Sequence, residues 1–162
     1  MLGLTTIGVF HTAIGLAALA SGVIALAQDG QISPRRRAGR IYLVATLVTA
    51  LTGFGIFQHG GFGPPHVLSV LTLVALAVGT VAAMSSAFGR ASPYVQVVSY
   101  SITFLFHLIP GVTETSTRLP PGAPLVASAE APELQAVYAL LFVLLAIGLT
   151  LQIRRLRASA RR

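Results

Sequence analysis

Five apolar stretches divide the chain, at residues 2–27, 41–60, 66–88, 94–112 and 134–153. A helix that crosses a bilayer needs roughly 20 mostly apolar residues, and each stretch meets or approaches that length. The segments between them carry helix-ending residues. QDGQISPRRRAGR (28–40) is polar and contains Pro34. GGFGPP (60–65) reads as a tight turn. STRLPPGAPLVASAEAPE (116–133) is the one long connection, and its prolines at 120, 121, 124 and 132 predict extended or irregular chain. The pattern predicts an all-α integral membrane bundle of five transmembrane helices, forming a single domain over residues 1–162.

Polar and small residues within the stretches fall on defined faces. Positions that pack against protein in a membrane are small or polar, whereas lipid-facing positions are large and apolar. On the first helix Gly8, His11, Gly15, Ala18 and Gly22 follow 3- and 4-residue spacings and form one seam. On the fourth, Gln96, Tyr100, Thr103, His107, Gly111 and Glu114 lie within roughly 40° of His107 at about 100° per residue. That polar stripe is too continuous for a lipid-facing surface. Pro110 removes a backbone donor and clashes with the carbonyl of Phe106, so a kink or helix end is expected there. The second helix has a weaker stripe of Tyr42, Thr46, Thr49 and Gly53. The third has a small-residue face of Ala75, Gly79, Ala82 and Ser86, with His66 projected roughly opposite. The fifth is nearly featureless, with Tyr138 its main polar group, and reads as a packing partner.

Composition agrees with the membrane class. Charged residues make up 9% of the chain and mean hydropathy is +0.81, against about 25% charged in a soluble domain. Absence of cysteine excludes disulfides, Cys-ligated zinc, iron–sulfur clusters and covalently attached c-type haem. The net charge of +7 comes from arginine alone. Ten of the eleven arginines flank apolar runs, in the 28–40 loop, at Arg90 and in the C-terminal tail, whereas Arg118, Glu114, Glu130 and Glu133 fall in the alternate connection. This bias places the N-terminus outside and the C-terminus in the cytoplasm. A basic face for nucleic acid would need a soluble surface that the chain lacks, so no nucleic-acid partner is expected. Ala25-Leu26-Ala27 resembles a signal-peptidase site. However, the first stretch has no basic residue ahead of it and is far longer than a signal core of roughly 7–15 residues.

That topology gathers the histidines. His11 lies roughly 13 Å along the inward-running first helix at 1.5 Å per residue. His107 lies near the outer end of the outward-running fourth, and His59 and His66 bracket the outer turn between the second and third. Glu114 stands at about the same level. A single intramembrane histidine commonly just hydrogen-bonds a hydroxyl on the next helix, worth about 0.6–2 kcal/mol. Four histidines in one leaflet, two on inward faces, suggest an outward-facing cavity lined by Gln96, Tyr100, Thr103, His59 and Gly15.

Four readings follow. Two neutral imidazoles on facing helices ligate b-type haem iron in known proteins, and His11 and His107 are the cofactor-binding candidates. A divalent metal is the second, with His66 and Glu114 as candidate ligands beside those imidazoles. The third is a small transporter or a proton or ion pathway along the fourth-helix stripe. The fourth is a non-catalytic subunit that buries its stripe against a membrane-protein partner or a second copy of itself. No HExxH or comparable motif is present, no catalytic residue is assigned, and the pattern leaves enzyme activity undecided.

FHTAIGLAALASGVIAL (10–26) followed by RRRAGRIYLVATLVTALTG (35–53) resembles a group of small bacterial multi-pass membrane proteins of unknown function. Members share a first-helix histidine and a Gly-Arg-Ile-Tyr start to the second helix. The likeness covers about the first third of the chain, and extends loosely to Phe-Gly-Pro-Pro-His before the third helix. LIPGVTETSTRLP (108–120) resembles a signature recurrent among close relatives. The group commonly has His-Arg before the glycine, whereas Arg35 stands at that histidine position here. The resemblance implies a bacterial inner-membrane location and brings no activity with it.

Overall fold

The computed structural model describes residues 5–56 and 61–160, and His59 lies outside them. Among the described residues all regular structure is helical: α1 (Thr6–Asp29), α2 (Arg37–Gly53), α3 (Pro64–Met84), a 3-10 turn (Gly89–Ala91), α4 (Ser92–Arg118) and α5 (Pro132–Ser159). Helices α1, α3, α4 and α5 are long and apolar enough to cross a membrane. Their large apolar side chains, including Leu16, Val74, Phe142 and Leu144, lie on the outer surface. Such a surface is the reverse of what water favours and suits an apolar surrounding.

Local chemistry sets most ends. Thr5 accepts the Gly8 N–H at 3.1 Å and caps α1. Gly30, at φ 68°, closes α1 in the left-handed region, with its N–H on the Leu26 carbonyl. Proline occupies the first turn of α3, α4 and α5, where no intrahelical donor is lost.

Several boundaries depart from the sequence reading, among them the end of α5, at Ser159 instead of 153. Helix α2 starts at Arg37 and ends at Gly53, 17 residues, instead of running over 41–60. Its first turn packs on the loop, with Gly39 directly against the Ser33 backbone, so helix begins as soon as Pro34 is passed. At its other end the Gly55 and Ile56 N–H groups turn back on Thr52 and Gly53 in three-residue steps, which winds the chain out of α geometry. Helix α3 ends at Met84, which leaves Ser86 exposed beyond it. Helix α4 passes through Pro110 and continues to Arg118. A proline removes only one donor, and α4 is held on both sides of that gap by packing against α3 and α5.

Helices adjacent in sequence pack together, α1 with α2, α2 with α3, α3 with α4 and α4 with α5; α4 also reaches α1. Helix α4 therefore sits centrally, and α5 packs on α4 alone among the major contacts. Two glycines let aromatic rings lie directly against a neighbouring helix. A Cβ at Gly22 would lie 2.7 Å from the Phe104 ring and 2.9 Å from Tyr42, and one at Gly79 would lie 2.6 Å from the Tyr100 ring. These rings join Ala18, Ala25, Ile32, Ala45 and Leu76 in the core.

His66 is buried, which corrects its projected placement opposite the packed face of α3. The buried positions of α3 are His66, Ser69, Thr72, Leu76, Gly79 and Ala82. They wind about 200° around the axis at about 100° per residue. The reason is a change of neighbour: Ser69 faces Gly53 of α2, whereas Gly79 faces Tyr100 of α4. A single projection cannot represent a helix that changes partners along its length.

Helix α5 has few buried residues but two polar ties to α4. Tyr138 and Thr113 share a 2.5 Å hydrogen bond, and Gln152 pairs with Ser101 at 3.2–3.3 Å. Gln152 is buried and answers a sequence reading that saw only Tyr138 on this helix.

Gly79→Ala should destabilise the bundle by about 1–3 kcal/mol, since the new methyl must displace an aromatic ring. Gly148→Ala, where a Cβ meets nothing nearer than 3.9 Å, should be neutral or stabilise by about 0.5–1 kcal/mol. Unfolding by titration with a denaturing detergent measures both.

Candidate functional site

The polar stripes of α2 and α4 meet face to face. Tyr42, Thr46, Thr49 and Gly53 of α2 are all buried. On α4, Tyr100, Thr103 and His107 are buried, whereas Glu114 is exposed at the end of the bundle. Sequence spacing places these residues on faces, and packing brings those faces together.

The contacts form two adjoining pairs. His107 Nε2 lies 3.0 Å from Thr46 Oγ1, and the Tyr42 hydroxyl lies 2.7 Å from Thr103 Oγ1. Thr46 lies near enough to act on the Tyr42 hydroxyl, so the two pairs adjoin. Thr103 donates its hydroxyl proton to the Tyr100 carbonyl at 2.8 Å. A hydroxyl has one proton to give, so Tyr42 is the donor to Thr103. The direction then runs from Tyr42 through Thr103 to the backbone, with the His107–Thr46 pair beside it. The imidazole of His107 also meets the Tyr42 ring edge-on, with centroids 6.1 Å apart.

His11 is held in the same manner from α1. Its Nδ1 lies 3.0 Å from Thr52 Oγ1. The Thr52 hydroxyl donates to the Val48 and Thr49 carbonyls at 2.9 and 3.0 Å. With its own proton on those carbonyls, Thr52 is placed to accept from His11, an arrangement that matches a proton on Nδ1. The sequence reading overlooked Thr52, although it stands three residues after Thr49 on the same helix. Gly53 lies beside this ring: a Cβ there would meet His11 Cε1 at an ordinary 3.6 Å and collide instead with Ser69 Oγ.

Glu114 and Arg118, one turn apart on α4, form an ion pair. Continuation of α4 past Pro110 makes that pair, and the long connection bends back onto it, with the Val126 N–H on the Ser116 carbonyl at 3.1 Å. Glu114 is close enough to His11, and His11 to His107, for their charges to interact. These three titratable groups thus occupy one end of the bundle.

The remaining candidates have other surroundings. His66 stacks on Phe62 at 5.2 Å, and its Nδ1 accepts the Gly63 N–H at 3.2 Å, tying the start of α3 to its turn. Gly15 faces Thr49, where a Cβ would find ordinary contact at 3.7 Å. Tyr100 pairs with Thr80 at 3.2 Å on the α3 side. Gln96 donates to the Ile32 carbonyl at 3.4 Å and lines a cavity of about 640 Å³ at the arginine-rich end. The stripe of α4 therefore serves three neighbours in turn. Among the described residues no group of three or more His, Asp or Glu side chains is placed to hold a metal ion.

Comparisons with known families, characterised proteins and solved structures give no match, so the site is read from its own geometry.

Tyr42→Phe and Thr103→Val should each destabilise by about 1–3 kcal/mol, because each leaves a buried partner unsatisfied. Together they should cost less than the sum, with a coupling of about 0.6–1.7 kcal/mol. Strict additivity in a double-mutant unfolding cycle would break the proposed connection between them.

Proposed function

We propose that this chain is a multi-pass protein of the bacterial inner membrane. All five helices cross it, with the N-terminus outside and the C-terminus in the cytoplasm. At 1.5 Å per residue α2 covers about 26 Å, close to the roughly 30 Å hydrocarbon thickness, and Arg37 and Arg40 mark its cytoplasmic start. The histidine end then faces outward. There His11, His107 and Glu114 form a site for a ligand bound through imidazole nitrogen.

The observation that carries this reading is the 3.0 Å contact of His11 Nδ1 with Thr52. With Thr52 as the acceptor, Nε2 would present a lone pair to a ligand, and Glu114 lies within electrostatic reach. Orientation of an imidazole through its far nitrogen is how proteins prepare a histidine for a metal centre. Haem iron is the most concrete ligand, since one or two imidazoles suffice for it. His107 would supply a second imidazole to such an iron only by giving up its bond to Thr46. A divalent metal held by protein side chains alone has less support, because His66 and Glu114 do not form a three-ligand group with the other described residues.

A second reading, proton movement, is favoured by the adjoining groups His107, Thr46, Tyr42 and Thr103. Its described links end at the Tyr100 carbonyl, part of the way across, so a complete pathway would need groups beyond it.

Detergent-purified protein should show a Soret band that His11→Ala abolishes and Thr52→Val weakens. A colourless, metal-free wild type would sink the ligand reading. Proton flux into liposomes, lost in His107→Ala, would then favour the second.

A further inference from the structure

Helices α1 and α5 flank α4 and do not pack on each other among the major contacts. Phe104 of α4 lies against Gly22 of α1, and Ser101 of α4 pairs with Gln152 of α5. Leu108 projects between those two directions at about 100° per residue, and it is half-buried. An apolar crevice floored by α4 therefore separates α1 from α5. Between the last turns of the same two helices, at the arginine-rich end, lies a cavity of about 530 Å³, with Gln152 and Leu156 in its wall.

Opposite charges line this cavity from its two sides. Asp29, at the end of α1, brings a carboxylate. Its Oδ1 is held by Arg36 Nε at 2.8 Å, which leaves Oδ2 as a further acceptor. Arg155, near the end of α5, brings a guanidinium. Gly30 sets its place, because a Cβ there would collide with Arg155 Nη1. Arg155 belongs to neither of the ion pairs Arg36–Asp29 and Arg118–Glu114. Its planar fork matches the oxygens of a phosphate two at a time. On the five-span reading Asp29 and Arg155 stand just beyond the apolar stretches 2–27 and 134–153, at headgroup level.

Arginines alone would call only for an anion. A carboxylate lining the same cavity calls for a cation as well, and the crevice beside it calls for an apolar chain. We propose that cavity and crevice together seat a phospholipid with a primary ammonium headgroup, of the phosphatidylethanolamine type. Its phosphate rests on Arg155, its ammonium on Asp29, and one acyl chain runs along Leu108. A primary ammonium has three N–H donors for the open carboxylate oxygen, whereas the trimethylated headgroup of phosphatidylcholine has none. The site shares no residue with the histidine end, so each can fail without the other.

The test is lipid retention by purified full-length protein in neutral detergent, read by native mass spectrometry. The probes are dioleoylphosphatidylethanolamine, dioleoylphosphatidylcholine and dioleoylphosphatidylglycerol. Phosphatidylethanolamine should be retained about fivefold over phosphatidylcholine. Asp29→Asn should erase that preference and leave retention of phosphatidylcholine unchanged. Because Asp29→Asn also breaks the pair with Arg36, Arg36→Gln is its control and should keep the preference. Arg155→Gln should weaken retention of both lipids about fivefold, whereas Arg154→Gln, the same charge change outside the cavity wall, should stay within about twofold. Equal retention of phosphatidylethanolamine and phosphatidylcholine by the wild type would overturn the site, as would loss of the preference in Arg36→Gln. Retention of phosphatidylglycerol at or above phosphatidylethanolamine, lowered alike by Arg154→Gln and Arg155→Gln, would show attraction to the arginines at large and overturn it as well.

Discussion

The hydrogen bond between Tyr42 and Thr103, 2.7 Å long and wholly buried, fixes the position of α2 against α4. In an apolar surrounding such a hydroxyl has no water to fall back on, and loss of its partner costs about 1–3 kcal/mol. Rotation of either helix by one position would turn Tyr42, Thr46, Thr103 and His107 out together. Apolar contacts alone would tolerate that slip, because leucine and valine faces are interchangeable. The polar pairs do not, and the glycines follow from them. With Tyr42 and Phe104 held in place, only a residue without a side chain fits at position 22.

Around this contact the helices divide their tasks. Helix α4 shares polar pairs with three helices: Thr103 and His107 with α2, Tyr100 with α3, and Ser101 and Thr113 with α5. Helices α1 and α3 supply the small residues that let it sit centrally. Helix α5 is attached by two polar ties near its ends and otherwise presents an apolar surface. The arrangement separates two chemistries by the length of the bundle. Imidazoles and one exposed carboxylate occupy one end, and guanidinium groups with a polar cavity occupy the other.

The structure also orders the histidines, which the sequence presents as equals. His11 and His107 each pair with a threonine of α2, yet through different nitrogens. Thr52 meets Nδ1 of His11, whereas Thr46 meets Nε2 of His107. His66 is turned to its own helix start, where it completes the turn after Gly63.

The helical class, the number of helices and the faces that pack were legible in the chain, because helical period and apolar run length are local properties. The stripes on α2 and α4 were read at Tyr42, Thr46, Thr103 and His107, and all four are buried. What spacing could not supply was partnership. Nothing local says that Thr46 rather than Thr49 meets His107, that Thr52 orients His11, or that Gln152 answers Ser101. The extension of α4 through Pro110 was equally hidden, since proline propensity argues for a break and only packing on both sides carries the helix to the Glu114–Arg118 pair. His66 shows the same limit, because its face depends on α3 exchanging one neighbour for another along its length. Sequence determined which residues turn inward, through a period set by the backbone. Tertiary structure decided which of them meet, because that depends on helix rotation and crossing, which are fixed only when distant polar groups must satisfy one another.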